Sequence, residues 1–403
     1  MLNRKIIAAV EIGTGKVVVL VGEMRGEHCL NLIGYSRQDS QGVKKGEITD
    51  FRAASTSVHT ALAEAEKQAQ MNIQVVYLAQ TGQHLQSFAS RGLATVSSPD
   101  GLVNRNDIQR AIAEAKRKEL PSDRLYIQCC QSGFYLDGRK ADDPYGMQGE
   151  QLDAVYWHIH GQERKVRDSL HVINGFGGIQ VEKVLVSGLA SASLVAKEEE
   201  KTNGVLVLDI GAGTTDYAVY YDNNVVTSGV LAVGGDHLTN DLSLGLRINT
   251  QQAEEIKCKW GKAIVDSKDA DEKIWLFGDQ RIGDRQIARK SIYQILQVRV
   301  EELFSIIKKE MATSLPEITL AGGVVLTGGT AHLPHIGDEA ARIFNTRARV
   351  AQVDSTLKKG LNQPEYSTVL GLIYYGMREQ QTKYETPDKT SLLSRMAKAF
   401  SWR

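Results

Sequence analysis

Cysteine and proline are both scarce, four and seven in 403 residues. The cysteines stand at 29, 129, 130 and 258; two are adjacent and no pair has the spacing of zinc ligands, so they read as reduced, mostly buried thiols. So few prolines beside 37 glycines exclude a linker-rich chain and suit a compact α/β protein with glycine turns. Net charge is missing as well. Lys+Arg and Asp+Glu are 48 each, which removes a whole-chain electrostatic footprint for nucleic acid, and no nucleic-acid partner is expected. No apolar run approaches the ~18–20 residues of a membrane-spanning helix; the longest, such as residues 17–21, are strand-sized. Glu11 interrupts what would be a signal-peptide core behind the basic N-terminus, so the chain is expected in the cytoplasm.

What is present is a repeated pattern. Residues 5–12 (KIIAAVEI) and 17–22 read as a strand pair joined by a short glycine turn, with 31–35 as a third strand. Phe51, Ala54, Val58, Leu62, Ala65 and Ala69 form one stripe of an amphipathic helix over 51–70, and 74–80 returns to strand before Thr81-Gly82. The same order recurs later: a strand at 204–210, a turn GAGTTD, a strand at 217–221, and a strand at 322–327 ending in Gly328-Gly329. Glu11-Ile-Gly-Thr-Gly parallels Asp209-Ile-Gly-Ala-Gly: an acid ends a buried strand and Gly-x-Gly turns the chain. Two such halves face to face give a two-lobed α/β body with both acidic hairpins at one cleft.

The hairpins have the parts of a phosphate site. Gly13 and Gly15 permit a tight turn with N–H groups outward, Thr14 adds a hydroxyl and Lys16 a charge. Gly211, Gly213, Thr214 and Thr215 repeat the arrangement. Glu11, Asp209 and Asp216 suit a magnesium ion held partly through water. A P-loop is excluded because Val17, not Ser or Thr, follows Lys16, and a dinucleotide fingerprint because Asp216 stands where its third glycine belongs.

These motifs resemble the actin/Hsp70/sugar-kinase superfamily, and within it the FtsA family of bacterial cell-division proteins, essentially end to end. VEIGTGKV resembles that family's first phosphate loop, LDIGAGTTDYAVY its second and VVLTGGTAHLPHI its adenosine motif; GLASAS (188–193) and PEYSTVLGL (364–372) match its two connecting helices. The resemblance implies an actin-like two-lobed ATPase fold of duplicated ribonuclease-H-like lobes, with ATP and Mg²⁺ as cofactors. Gly13, Thr14, Gly15 and Lys16 would touch the β/γ-phosphates from one side, and Gly211, Gly213, Thr214 and Thr215 from the other. Gly234-Gly235 would also approach the phosphates. Glu254 and Lys257 would hold the ribose and adenine, and Gly328, Gly329 and Thr330 would let the nucleoside lie on bare backbone. Asp209, with Glu11 beside it, is the expected catalytic acid for positioning magnesium and water. Two departures stand out: Gly15 replaces the small Ser or Ala common there, and Glu11 replaces Asp, which makes hydrolysis a weaker expectation than binding.

The expected division is a first lobe core (1–83 with 163–195 and 361–377), an inserted α+β subdomain special to the family (84–162), a second lobe core (196–246 with 306–360), its outer subdomain (247–305), a linker (378–388) and an amphipathic helix (389–403). In the insertion a helix is read at 107–118 and a half-exposed strand at 155–159, with His158 and His160 as solvated strand histidines rather than metal ligands. The outer subdomain reads as helical, with Arg281, Arg285, Arg289 and Lys290 at helical spacings. The resemblance implies that it grips the C-terminal peptide of the tubulin-like protein FtsZ, and that the insertion meets later division proteins and a neighbouring copy in an actin-like filament.

In the last segment Leu392, Leu393, Met396, Phe400 and Trp402 share one broad side, with Lys398 opposite and Arg395 on the boundary. Residues 389–403 hold four Lys/Arg and no Asp/Glu. A helix of this length, about 22 Å at ~1.5 Å per residue, is too short and too charged to cross a bilayer and suits lying in an anionic interface. The resemblance implies a location on the cytoplasmic side of the inner membrane at the division septum. Two rivals share the phosphate loops: a pilus-assembly actin homologue, which normally lacks such a tail, and a small-molecule kinase, which needs a further catalytic acid in the cleft.

Overall fold

The computed structural model describes residues 5–25, 29–266, 272–276, 283–314, 319–353 and 360–384. The expected membrane residues Leu392, Leu393, Arg395, Met396, Lys398, Phe400 and Trp402 lie outside them, as does Arg281. Among the described residues no helix is long and apolar enough to cross a membrane.

The chain opens with β1 (Lys5–Ile12), β2 (Lys16–Arg25) and β3 (Cys29–Asp39), a small hairpin of β4 (Val43–Lys44) and β5 (Glu47–Ile48), then α1 (Phe51–Ala69) and β6 (Val75–Gln80). An inserted unit follows: β7 (Gln86–Thr95), α2 (Arg105–Lys116), β8 (Arg124–Leu136), β9 (Arg139–Ala141) and β10 (Gln151–Gln162). The chain returns through α3 (Glu163–Asn174) and β11 (Gln180–Val186), and crosses over in α4 (Ser187–Val195) and α5 (Glu198–Asn203). The second half holds β12 (Val205–Ile210), β13 (Thr215–Tyr221), β14 (Asn224–Leu231), α6 (Gly235–Leu246), α7 (Thr250–Trp260), β15 (Lys273–Leu276), β16 (Arg285–Ala288), α8 (Arg289–Ser314), β17 (Gly323–Thr327), α9 (Ile336–Phe344), β18 (Ala348–Val350) and α10 (Ser367–Tyr384).

The duplication is real in three dimensions. One five-stranded sheet has the order β11-β6-β1-β2-β3 and the other β14-β13-β12-β17-β18. In each, an antiparallel hairpin (β1–β2, β12–β13) is flanked by a parallel strand (β6, β17). β1 is apolar on both faces because both are covered. Ala8 and Val10 pack with Ala54, Val58 and Leu62 of α1, while Ile7 and Ala9 pack with Val369, Leu370 and Ile373 of α10. Asp50 caps α1 by accepting from Ala53 N–H at 3.1 Å. In the second half Leu206 and Leu208 meet Leu238, Leu296 and Phe304, whereas Val205 and Val207 meet Leu189 and Ala192 of α4.

Four expectations need correction. His158 and His160 are buried, not solvated: both faces of β10 are covered, with Tyr156, His158 and His160 buried on one and Ile159 on the other, and Phe88 stacks on His158 at 5.1 Å between ring centres. Alternation tells which residues share a face but not which face is covered. Residues 273–276 and 285–288 pair as a β-hairpin, so Arg285 is not on a helix; it bonds Leu246 O, and Arg289 pairs with Glu272 and lies 4.1 Å from the Trp260 ring centre. The residues 378–384, expected as linker, continue α10, since the run to Tyr384 holds good helix formers and no proline. Cys258 is exposed, whereas Cys130 is buried and Cys129 half-buried.

Candidate functional site

The two glycine turns meet face to face. Gly13 N–H donates to Lys16 O (2.9 Å) and Gly211 N–H to Thr214 O (2.8 Å), each closing its own turn. Those two amides are therefore engaged. Among the described residues the next two in each turn, of Thr14 and Gly15 and of Ala212 and Gly213, meet no acceptor. A pair of unfilled amides from each lobe is an anion cradle. The turns touch: a Cβ on Gly213 would lie 2.5 Å from Thr14 Oγ1, and one on Gly15 would lie 2.9 Å from Ala212 Cβ. Thr14 Oγ1 is steadied by Gly46 N–H at 2.9 Å. Thr215 Oγ1 donates to Val233 O (2.8 Å) and Thr214 bonds Asp216, so both threonine hydroxyls are engaged within the protein and the backbone supplies the open donors.

Three acids end the hairpin strands, and in register Asp209 faces Asp216 across β12–β13. Asp209 Oδ2 accepts from Thr368 Oγ1 of α10 (2.7 Å), and Ser191 of α4 also bonds it. Both crossing helices thus grip one carboxylate. Asp216 takes Thr81 Oγ1 on both oxygens, at 2.9 and 2.7 Å, so a first-lobe hydroxyl ties down a second-lobe acid. Glu11 Oε2 is buried without a partner, as is Oε1 of Gln80 at the end of β6. Burial pushes all three acids up: Glu11 to about 7, with Lys16 opposing and Asp209 adding; Asp216 to about 8, with Asp209 adding; Asp209 upward against the bonds from Thr368 and Ser191.

No three His, Cys, Asp or Glu side chains among the described residues converge closely enough to hold a metal ion directly. The three acids are therefore not a direct ligand triad. Glu11 with its orphaned oxygen, beside Asp209, still fits a divalent cation carried with its waters, because magnesium dehydrates reluctantly and offsets such excess negative charge. Asp216 fits less well, having both oxygens on Thr81.

The remaining expected residues line the second-lobe wall. Gly235 N–H donates to Gly211 O (2.9 Å), and a Cβ on Gly234 would lie 2.6 Å from Ala212 O. Glu254 and Lys257 of α7 pair at 2.7 Å. Lys257 Nζ also donates to Gly235 O (3.1 Å) and Thr239 Oγ1 (2.9 Å), while Thr239 bonds Glu254. Thr330 Oγ1 reaches Gly211 O at 3.0 Å. Gly328 needs its freedom: its φ is +84°, and a Cβ there would lie 2.5 Å from Asp209 Oδ1. A Cβ on Gly329 would meet open space. The structure thus brings together Glu11, the two turns, Asp209, Gly234-Gly235, the Glu254–Lys257 pair and Gly328 to Thr330. Sequence reasoning missed Gln80, Thr81, Ser191, Thr239 and Thr368, which reach the site from other segments.

The acids make stability depend on pH in a stated direction. Glu11 binds its proton more tightly folded (about 7) than unfolded (4.5). Its stabilising contribution is full below pH 4.5 and is lost as pH rises through 7. Without divalent cation, wild-type protein is expected to lose melting temperature between pH 5 and 8 relative to Glu11→Gln, which carries no such proton. Parallel melting curves for the two across that range would contradict the assignment.

Two lobes of one topology, each giving a glycine hairpin to a shared cleft and joined by two crossing helices, are the actin-like ATPase fold. Solved structures agree at the level of fold. The PilM-PilN type IV pilus biogenesis complex has a TM-score of 0.66 at 16% identity, covering 92% of this chain and 98% of that one. MreB5 of Spiroplasma citri bound to ADP has a TM-score of 0.58 at 15% identity, covering 95% and 99%. Sequence relatives are more specific. The cell division protein FtsA of Pseudomonas aeruginosa is 32% identical over 384 residues, 93% of this chain and 90% of that protein. That of Bacillus subtilis is 30% identical over 382 residues, covering 94% and 85%. The profile described as cell division protein FtsA matches residues 206–371, and that of the SHS2 domain inserted in FtsA matches residues 82–159. The chain belongs to the FtsA family of cell-division proteins.

Proposed function

We propose that this protein binds ATP with Mg²⁺ in the cleft, polymerises as an actin-like filament on the cytoplasmic face of the inner membrane at the septum, and anchors FtsZ filaments there. The observation that carries the nucleotide part is the meeting of two glycine turns, with open amides on each, beside the Asp209 carboxylate that both crossing helices grip. Solved structures of the fold bound to ADP and AMPPNP support it by analogy. When bound, Mg²⁺ screens the phosphate charge. Glu11 and Asp209 would hold its waters, Lys16 and the open amides of both turns would take the phosphates, and Glu254, Lys257 and Gly328 to Thr330 would seat the nucleoside. Turnover is slow at most.

In this reading the chain divides as expected apart from 378–384, which continue α10: the insertion (84–162) meets later division proteins, the outer subdomain (247–305) takes the FtsZ C-terminal peptide, and residues 389–403 lie in anionic lipid. One short helix binds weakly, and a filament presenting many adds avidity. The test is flotation with anionic liposomes in the presence of FtsZ, with and without ATP, for the full chain and for a chain lacking residues 389–403. The full chain is expected to float with the lipid and retain FtsZ, more so with ATP. Equal flotation of both chains would contradict membrane anchoring. The kinase rival predicts instead rapid phosphorylation of a small metabolite.

A further inference from the structure

The inserted unit leaves the first lobe after Thr81-Gly82 and returns to it at Gly161, yet much of its body rests on the second lobe. Ser87 Oγ donates to Ser228 O (2.7 Å), Trp157 Nε1 to Ser228 Oγ (2.9 Å) and Ser132 Oγ to Val225 O (2.9 Å); Lys140 pairs with Asp222. Leu85, Cys130 and Ile159 of the insertion share one core with Val205, Ala218, Tyr220 and Val225 of the second lobe. The strand so covered, β14, is the edge of the second sheet, and the hydroxyls of Ser87 and Ser132 take carbonyls on it.

The covered strand leads straight to the cleft. β14 ends at Leu231, two residues before Val233, whose carbonyl takes Thr215 Oγ1, and Gly234-Gly235 follow at once. Its partner β13 starts beside the glycine turn at Thr215-Asp216, and Asp216 is held by Thr81 at the root of the insertion. The root and body of the insertion therefore grip the two-stranded ribbon β13–β14 that carries both second-lobe glycine turns. The two connections to the first lobe are closely packed as well. Gly82 has φ of +129°, and Gly161 lies so close to His84 that a Cβ would stand 2.9 Å from Nδ1. Gln128 touches the crossing point itself, accepting Val186 N–H at 3.1 Å.

We infer that the inserted unit is a strap mechanically coupled to the second-lobe phosphate ribbon, so that it links events on its outer surface to the nucleotide turns. This rests on the reading of the cleft as a nucleotide site only for its ligand, not for the coupling. The coupling is bidirectional by linkage: whatever loosens the dock loosens the turns, and whatever orders the turns favours the dock.

The test uses the full chain carrying Trp157→Phe with Ser228→Ala, which removes the indole donor and its acceptor and leaves every cleft residue in place. Hydrogen exchange is followed in three segments: the dock (224–231), the second-lobe turns (211–216 and 233–235) and the first-lobe turn (12–16). Exchange is expected to rise at least threefold at the dock and in the second-lobe turns, and to stay unchanged in the first-lobe turn. A rise confined to the dock, or none anywhere, would overturn the inference. Binding of a fluorescent ATP analogue is read separately and is expected to weaken about threefold or more. If wild-type protein bound no analogue, the cleft reading would fail while the exchange result still decided the strap.

Discussion

Replacing Asp209 by Asn is expected to weaken ATP binding about 10–100-fold in the presence of Mg²⁺, which corresponds to the ~1.5–3 kcal/mol of an interaction with a charged group. Asp209→Ala is expected to abolish nucleotide-dependent assembly altogether. The same Asn variant should be no less stable without nucleotide. Burial raises the Asp209 pKa, so its charge is a folding liability that Thr368 and Ser191 only partly offset. Asn keeps an acceptor for those hydroxyls and carries no charge. Poorer binding with an equal or higher melting temperature is the signature of a group kept for its ligand rather than for the fold. AMP, which lacks the outer phosphates, should bind wild type and variant alike. Unchanged ATP affinity and assembly in both variants would remove Asp209 from the site.

The second large effect lies where the lobes are joined. A Cβ on Gly371 of α10 would overlap the carbonyl oxygen of Ala190 in α4. The two crossing helices meet there backbone to backbone, and a helical carbonyl cannot swing away without breaking its own ladder. Gly371→Ala is expected to cost about 3 kcal/mol as overpacking, at the upper end for such changes, and to lower the melting temperature by roughly 3–4 °C. Because Thr368 sits one turn earlier on the same helix and bonds Asp209, ATP affinity should fall with it. Gly337→Ala on α9, where nothing lies within 4 Å, is the control; it should be neutral or slightly stabilising. Equal melting of the two variants would contradict the close crossing.

Much of this was legible in the chain. An acid at the end of a fully apolar strand, followed by Gly-x-Gly, is a local pattern, and its repetition at 11–15 and 209–213 announced both hairpins and their shared cleft. The Glu254–Lys257 pair was legible because three residues on a helix share a face. What grips the site was not. Thr81, Ser191 and Thr368 carry no motif, and only the return of β6, α4 and α10 to the cleft brings their hydroxyls to Asp216 and Asp209. Alternation in β10 was visible, but the covering of its histidine face by α2 and of its Trp157 face by β14 is tertiary information. The pairing of 273–276 with 285–288 was obscured because four-residue strands are too short for periodicity to separate from helix.

The central claim is that both lobes close on one nucleotide through the paired turns. Calorimetric titration of the full chain with ATP, with and without Mg²⁺, tests it most directly. One site per chain is expected, tightened by Mg²⁺ and weakened by Gly213→Val, whose side chain would wedge against Thr14 of the opposite turn. Binding that ignored that wedge, or no binding at millimolar ATP, would contradict it.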